Sequence, residues 1–301
     1  MLIASQTSII ERRFGAERAI EMLSQAGFDA FDFTFFDMNK NTEESVFGDN
    51  YREYMLSLKG LADRAGIICN QAHAHFPSEK PGDEEYNAGS FTRTVHEMEC
   101  AALLGAKHIV IHPVKGMQDK NEEFEYNMDF FNRLLPYAKK FKIKIALENM
   151  FVVDRSYKYV LRFVNGACGT GDEFVKYMRR LDPDWFIACI DTGHSGISGQ
   201  KVQYAIRQLG HGYLHALHVQ DNNFFEDTHT APYFGLIDWD EVCKALADID
   251  YDGEFTFEAH RFLERIPEPL FMDTLELLYK IGRYLVGRIE TLKAQRGDDL
   301  V

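Results

Sequence analysis

Hydrophobic positions fall into two patterns that alternate along the chain. The runs LIASQTS, FDAFDFTF, IICNQAHAHF, HIVIHPV, IKIALENM, FIACIDTGH, LHALHVQD and EFTFEAH are rich in β-branched or aromatic residues and short enough to be strands. Between them lie amphipathic stretches with helical spacing: ERAIEMLSQAG, NYREYMLSLKGLADRAG, FTRTVHEMECAALLGA, EEFEYNMDFFNRLLPYAKKF, GDEFVKYMRRLD, QKVQYAIRQLG and WDEVCKALADID, closed by MDTLELLYKIGRYLVGRIETLKAQ. Several end in Gly or a basic residue, as helix C-termini prefer. The alternation repeats eight times over 301 residues, which predicts a parallel sheet and is the number of units that closes a (β/α)8 barrel. An open doubly wound sheet is the competing fold. Against it, no GxGxxG follows the first strand and no Walker-type glycine loop occurs. No low-complexity linker divides the chain either, so the expectation is one α/β TIM-barrel domain over residues 1–301.

A barrel carries its active site at the C-terminal ends of its strands, so polar chemistry is expected there. The third strand ends in His73 and His75, the fourth in His112, and the fifth in Glu148 and Asn149. The sixth ends in Asp191 and His194, the seventh in His218 and Asp221, and the eighth in Glu258 and His260. These groups would meet around one axis, and His packed with Asp or Glu at that density is what a divalent metal site requires. Without a cation, clustered carboxylates repel one another and take up protons.

Composition narrows the partners. With 46% hydrophobic and 13% aromatic residues the chain can bury a sizeable core. Its 47 acidic against 33 basic residues give a formal charge of -14, a poor match to a phosphate backbone, so nucleic acid is a disfavoured partner. No segment approaches the roughly 18 uninterrupted apolar residues of a membrane span, and MLIASQTSIIERRFG does not read as a leader. The expectation is a soluble, cytoplasmic protein with no membrane partner. Cys69, Cys100, Cys168, Cys189 and Cys243 are widely spaced and form no CxxC pair, which predicts buried small hydrophobes rather than a disulfide framework or thiolate zinc site.

The ordered set HxHFP, VIHP, LEN, IDTGHSGIS, HVQDN, DTH and FEAH resembles the xylose-isomerase-like (β/α)8 superfamily over nearly the whole chain. That superfamily includes sugar-phosphate isomerases and epimerases, ketose 3-epimerases and abasic-site nucleases of the endonuclease IV type. For the epimerase branch, the resemblance implies one catalytic metal held by Glu148, Asp191, His218 and Glu258. Three oxygen ligands and one imidazole suit Mn, Mg or Co at least as well as Zn, and leave positions for two substrate oxygens. The metal would act as a Lewis acid that stabilises a cis-enediolate. Glu148 and Glu258 would lie on opposite faces of the substrate, one removing the proton and the other returning it. His194 resembles the histidine that contacts a substrate hydroxyl, and Gly193 is expected where the chain turns close to the site.

The nuclease branch is the main alternative, with a multinuclear zinc centre. His73, His112, His194, Asp227 and His229 match its further ligands, and in an isomerase they would bind a second metal or orient substrate hydroxyls. Three departures weigh against the nuclease. VIHP is followed by VKG where Gly-Ser-His is expected, LEN replaces Leu-Glu-Thr, and the Cys-His of its DTCHA becomes Gly-His. The expected function is therefore a metal-dependent isomerase or epimerase of a small sugar, sugar phosphate or related polyol ketone. A dehydratase acting through the same enediolate is a close neighbour, and a non-catalytic metal-binding or sugar-binding barrel is the alternative from a different class. The resemblance also carries an expectation of homo-oligomers. Weaker candidates are Lys115, which would meet a substrate phosphate, and Phe33, Phe35, Phe76 and Trp239 as apolar walls. His75 is expected to hydrogen-bond within the mouth, and His215 to point away from His218.

Overall fold

Ten strands run along the chain of the computed structural model, which describes residues 1–36, 46–154 and 162–298. They are β1 (Ile3–Gln6), β2 (Ala30–Thr34), β3 (Ile68–His73), β4 (His108–Ile111), β5 (Lys144–Glu148), β6 (Phe151–Asp154), β7 (Arg162–Asn165), β8 (Phe186–Asp191), β9 (Leu214–His218) and β10 (Phe255–Phe257). Eight of them form one parallel sheet in the order β10-β1-β2-β3-β4-β5-β8-β9. The ring closes just past β9, where Val219 bridges Phe257 and the Glu258 amide donates to the Val219 carbonyl at 3.0 Å. This is the (β/α)8 barrel that the alternation predicts.

Alternation within each strand sorts the side chains into two cores. On β2 and the residue just after it, Phe31, Phe33 and Phe35 share one parity and pack outward among the helices. On β8, Phe186, Ala188 and Ile190 do the same, while Ile187 and Cys189 join Val110, Ala146 and Ala216 in a small cluster inside the barrel. The same parity carries the next inward positions to the mouth: Asp191 follows Cys189, Glu148 follows Ala146, and His218 follows Ala216. All five cysteines are buried and free, as expected. Among the described residues, no helix is long and apolar enough to cross a membrane.

Several boundaries differ from the sequence reading. β1 ends at Gln6 because residues Ser8–Phe14 form a helix. β8 ends at Asp191, whose side chain accepts from the His194 amide at 2.6 Å and caps a short helix over Thr192–Ile197, so His194 sits on a helical turn rather than on a strand. The helix Glu84–Leu104 starts seven residues before the Phe91 expected from its apolar spacing, because Asp83 caps it by accepting from the Tyr86 amide at 3.1 Å. The antiparallel hairpin of β6 and β7 was not expected.

Candidate active site

Four side chains from four neighbouring strands meet at the C-terminal mouth. Single ligand atoms of Glu148, Asp191, His218 and Glu258 all lie within 4.8 Å of one another. His218 Nδ1 stands 3.3 Å from Glu148 Oε2 and 3.2 Å from Glu258 Oε2. Yet both Glu148 oxygens, Glu258 Oε2 and His218 Nδ1 are buried without a hydrogen-bond partner. Buried polar atoms are normally satisfied, and leaving one bare costs about 1–3 kcal/mol. Near-contact without hydrogen-bond geometry is what converging lone pairs produce when each is aimed at a shared point.

The surroundings hold these groups in place. Gln6 Nε2 donates to Glu258 Oε1 at 2.9 Å and leaves Oε2 bare. Asn149 clamps the ends of β5 and β8, accepting from the Asp191 amide at 2.7 Å and donating to its carbonyl at 3.0 Å. Gln220 Nε2 reaches Asp191 at 3.2 Å and Asp227 at 3.0 Å. Behind His218, Asp32 Oδ2 stands 3.3 Å from Nε2, a charge contact without hydrogen-bond geometry, and accepts from Gln71 at 2.9 Å, while Nδ1 is the nitrogen that faces Glu148 and Glu258. Sequence reasoning missed Gln6, Asp32 and Gln220. Their one signal is position, since Asp32 lies on the inward parity of an otherwise aromatic strand. Gly193 is required by packing, because a Cβ there would run into the side chains of Gln220 and Asn222.

Charges in the mouth are strongly coupled. Burial works against ionising Glu148, but His218 and His112 more than offset it and hold its carboxyl well below the ordinary range. Burial likewise opposes Glu258, and His218 and His229 bring it down to about 2. Asp191 moves the other way: burial pushes it up to about 7, and Glu258 and Glu148 add to the rise against the pull of His194. His218 is desolvated, which alone would lower it, yet the acidic groups around it raise it well above the usual imidazole value.

The five further residues also gather here, as two satellites. His73, His112 and Glu148 form one group, with His112 Nε2 3.0 Å and His73 Nε2 3.5 Å from Glu148 Oε2. His194, Asp227 and His229 form the other, with His229 Nε2 2.9 Å and His194 Nε2 3.6 Å from Asp227. In three of these histidines Nδ1 faces a backbone carbonyl, which can only accept: Ala74 for His73 at 2.7 Å, Asn149 for His194 at 2.9 Å and Glu258 for His229 at 3.0 Å. The proton is therefore on Nδ1 in each. His73 Nε2 is buried without a hydrogen-bond partner, whereas Nε2 of His194 and of His229 faces the Asp227 carboxylate, which also accepts. Against the effect of burial, Asp191 and Asp227 raise His194 well above the usual imidazole value, and Asp227 raises His229 to about 9, so both rings carry two protons until a cation displaces one. His229 takes its place with a backbone φ of 40°, a strained conformation for a residue with a side chain.

Other expectations resolve individually. His75 turns out of the mouth to a buried network, with Nδ1 2.8 Å from Glu97 and Nε2 2.7 Å from Ser90. His215 points away from His218 and lies 3.5 Å from Asp252. Asp221 does not face the mouth. Its carboxylate accepts from the amides of Asn222, Tyr233 and Ile237 and from Trp239 Nε1, all within 3.0 Å, and so folds the loop that carries Asp227 and His229. Of the four aromatic residues expected as walls, only Phe76 lines the pocket. Phe33 and Phe35 face the helices, and Trp239 is occupied by Asp221. Phe36 and Phe151 take that place, beside Lys115 and His260, in a cavity of about 550 Å³ above the four-residue cluster.

Comparison with known proteins agrees with this architecture. A model of the xylose isomerase-like TIM barrel matches residues 20–281. Inosose dehydratase 2 of Bacillus cereus is 25% identical over 301 aligned positions, covering 89% of this chain and 88% of that protein. D-psicose 3-epimerase of Ruminiclostridium cellulolyticum is 33% identical over 106 residues, 35% of this chain and 34% of that one. The structure of the IOLI protein with a binding zinc atom shares the fold at a TM-score of 0.71 and 17% identity, covering 96% of this chain and 98% of that chain.

Proposed function

The chain belongs to the xylose isomerase-like TIM barrel family, and from that premise we propose that it is a metal-dependent isomerase or epimerase of a sugar-like polyol ketone. The observation that carries the reading is the convergence of Glu148, Asp191, His218 and Glu258 with both Glu148 oxygens, Glu258 Oε2 and His218 Nδ1 buried and unpartnered. Three carboxylates and one imidazole fit a divalent cation, Mn, Mg, Co or Zn, and these four residues would hold it. When bound, the cation supplies Lewis-acid polarisation of the substrate carbonyl and offsets the carboxylate charge.

The proton work falls to the protein. A carboxylate is needed to take the proton from the carbon beside the carbonyl, and a second acidic group to return it. Glu148 and Glu258 meet the requirement, since both line the pocket and both are held ionised. Return to the opposite face of the same carbon gives an epimer, and return to the neighbouring carbon gives an isomer. Loss of a hydroxyl from the same enediolate gives dehydration, the chemistry named for the Bacillus cereus relative. His194 stands beside Glu148 at 3.2 Å and lines the pocket, where it can orient a substrate hydroxyl. Phe76 and Phe151 wall the cavity and limit the water that would compete for the proton.

Elemental analysis of the untreated protein, followed by a ketose panel in deuterated solvent, tests the reading. One divalent ion per chain and deuterium at the carbon beside the carbonyl are the expected results. Protein that takes up no divalent ion, or no solvent deuterium in any ketose, would defeat it. Glu258→Gln is expected to lower turnover by at least about 100-fold. Unchanged turnover would remove Glu258 from the proton path. A second reading has its own observation: the two satellite groups are the ligand types of a multinuclear zinc centre. Two or three zinc ions per chain with cleavage of abasic DNA would favour the nuclease.

A further inference from the structure

The floor of the pocket is acidic, but its rim is basic. Lys80, Lys115 and Arg261 line it, and among the described residues none of them pairs with a carboxylate. The acidic side chain beside Lys80, Glu79, is already taken, accepting from Arg133 at 2.6 Å and from Tyr126 at 2.8 Å. Unpaired cations are conspicuous in a chain with 47 acidic and 33 basic residues, where carboxylates are plentiful. Lys120, for comparison, reaches Glu123 at 2.7 Å, and Arg207 reaches Asp248 at 2.8 Å.

Lys115 is the best placed of the three. It follows β4 by four residues, and its ammonium lies 4.8 Å from the centre of the Phe151 ring, one of the pocket's aromatic walls. Surface area leaves the side chain open to solvent, yet protein crowds the ammonium, and that crowding lowers its pKa against the pull of Glu148 and Asp227. An exposed ammonium at the pocket rim with no carboxylate partner among the described residues is free to make a charge-assisted hydrogen bond to an arriving anion. The rest of the chain repels anions through its net charge of -14, so attraction at this point must be local.

Building on the proton-transfer reading, we infer that the substrate carries an anionic group, a carboxylate or a phosphate, away from its ketone, and that Lys115 is the residue that pairs with it. Lys115 is thus a specificity determinant of the pocket. Lys80 and Arg261 add to the attraction as further rim charges.

The test is calorimetric titration of metal-loaded protein with D-fructose, its 6-phosphate and its 6-carboxylate, matched in carbon skeleton and different in charge. At least one charged member is expected to bind about tenfold or more tightly than fructose, as a charge-assisted hydrogen bond allows. Which member it is separates the phosphate from the carboxylate. Lys115→Met should bring the charged and uncharged members within about twofold of each other, with metal content and melting temperature unchanged, and Lys115→Arg should keep the preference. Equal or absent binding of the charged members, or a preference that survives Lys115→Met, overturns the inference. Deuterium exchange from solvent, followed on the same samples, keeps the two claims apart. Exchange into fructose without charge preference leaves proton transfer standing while this inference falls, and charge preference through Lys115 without exchange does the reverse.

Discussion

Asp32 shows how a residue outside the cluster sets what the cluster can do. Its carboxylate makes a charge contact behind His218 Nε2, while Nδ1 faces the mouth. Asp32→Asn removes that charge. It is expected to weaken divalent-metal affinity by about 10-fold to 100-fold, measured by competition with a chromogenic chelator, and unchanged affinity would reduce Asp32 to packing. Protonation at the site has a definite sign as well. Burial, with Glu258 and Glu148 nearby, puts Asp191 at about 7 in the metal-free protein, and His218 is raised too. A ligand must lose its proton before it binds a cation, so affinity is expected to fall as pH drops through about 7. Metal uptake should release protons, and more of them at lower pH. Titrations in buffers of different ionisation enthalpy would detect the release, and a heat independent of buffer would contradict it.

At the scale of elements, strand parity aims the ligands and one loop brings in the satellite. Inward positions along β5, β8 and β9 run from small apolar residues low in the barrel to Glu148, Asp191 and His218 at the mouth. That order was legible in IALE, ACID and ALH, because a period of two is a local property of extended backbone. The loop from Asn222 to Asp238 was not legible. Asp221 reads as one more strand-end carboxylate, and only the fold turns it toward four donors. Asp221→Asn would set an amide NH2 against those donors. The expected cost is about 1–3 kcal/mol, with faster proteolysis inside residues 222–238. Equal proteolysis of variant and wild type would mean that Asp221 does not hold the loop. The short runs FVVD and RFVN of β6 and β7 also escaped notice, being too brief to stand out as strands before their pairing is known.

For the whole molecule, an acidic chain gathers three buried carboxylates in one mouth, and a divalent cation is the natural counterweight. Saturation at about 100 times Kd adds roughly 2.7 kcal/mol to folding stability. Exhaustive chelation is therefore expected to lower the melting temperature, and re-addition of Mn, Mg, Co or Zn to restore it in order of affinity. A melting temperature indifferent to chelator and metals would count against the cluster as a cation site. The sequence by itself determined the barrel, through eight repeats of strand and helix pattern, and the residues that end its strands. Both are carried by neighbours in the chain. Tertiary structure alone decided that Gln6, Asp32 and Gln220 support the cluster, that Asp221 serves a loop, and that Phe36 and Phe151 rather than Phe33 and Phe35 wall the pocket. Those outcomes depend on which distant strands close the ring and how far each side chain reaches across it, and no local spacing encodes that.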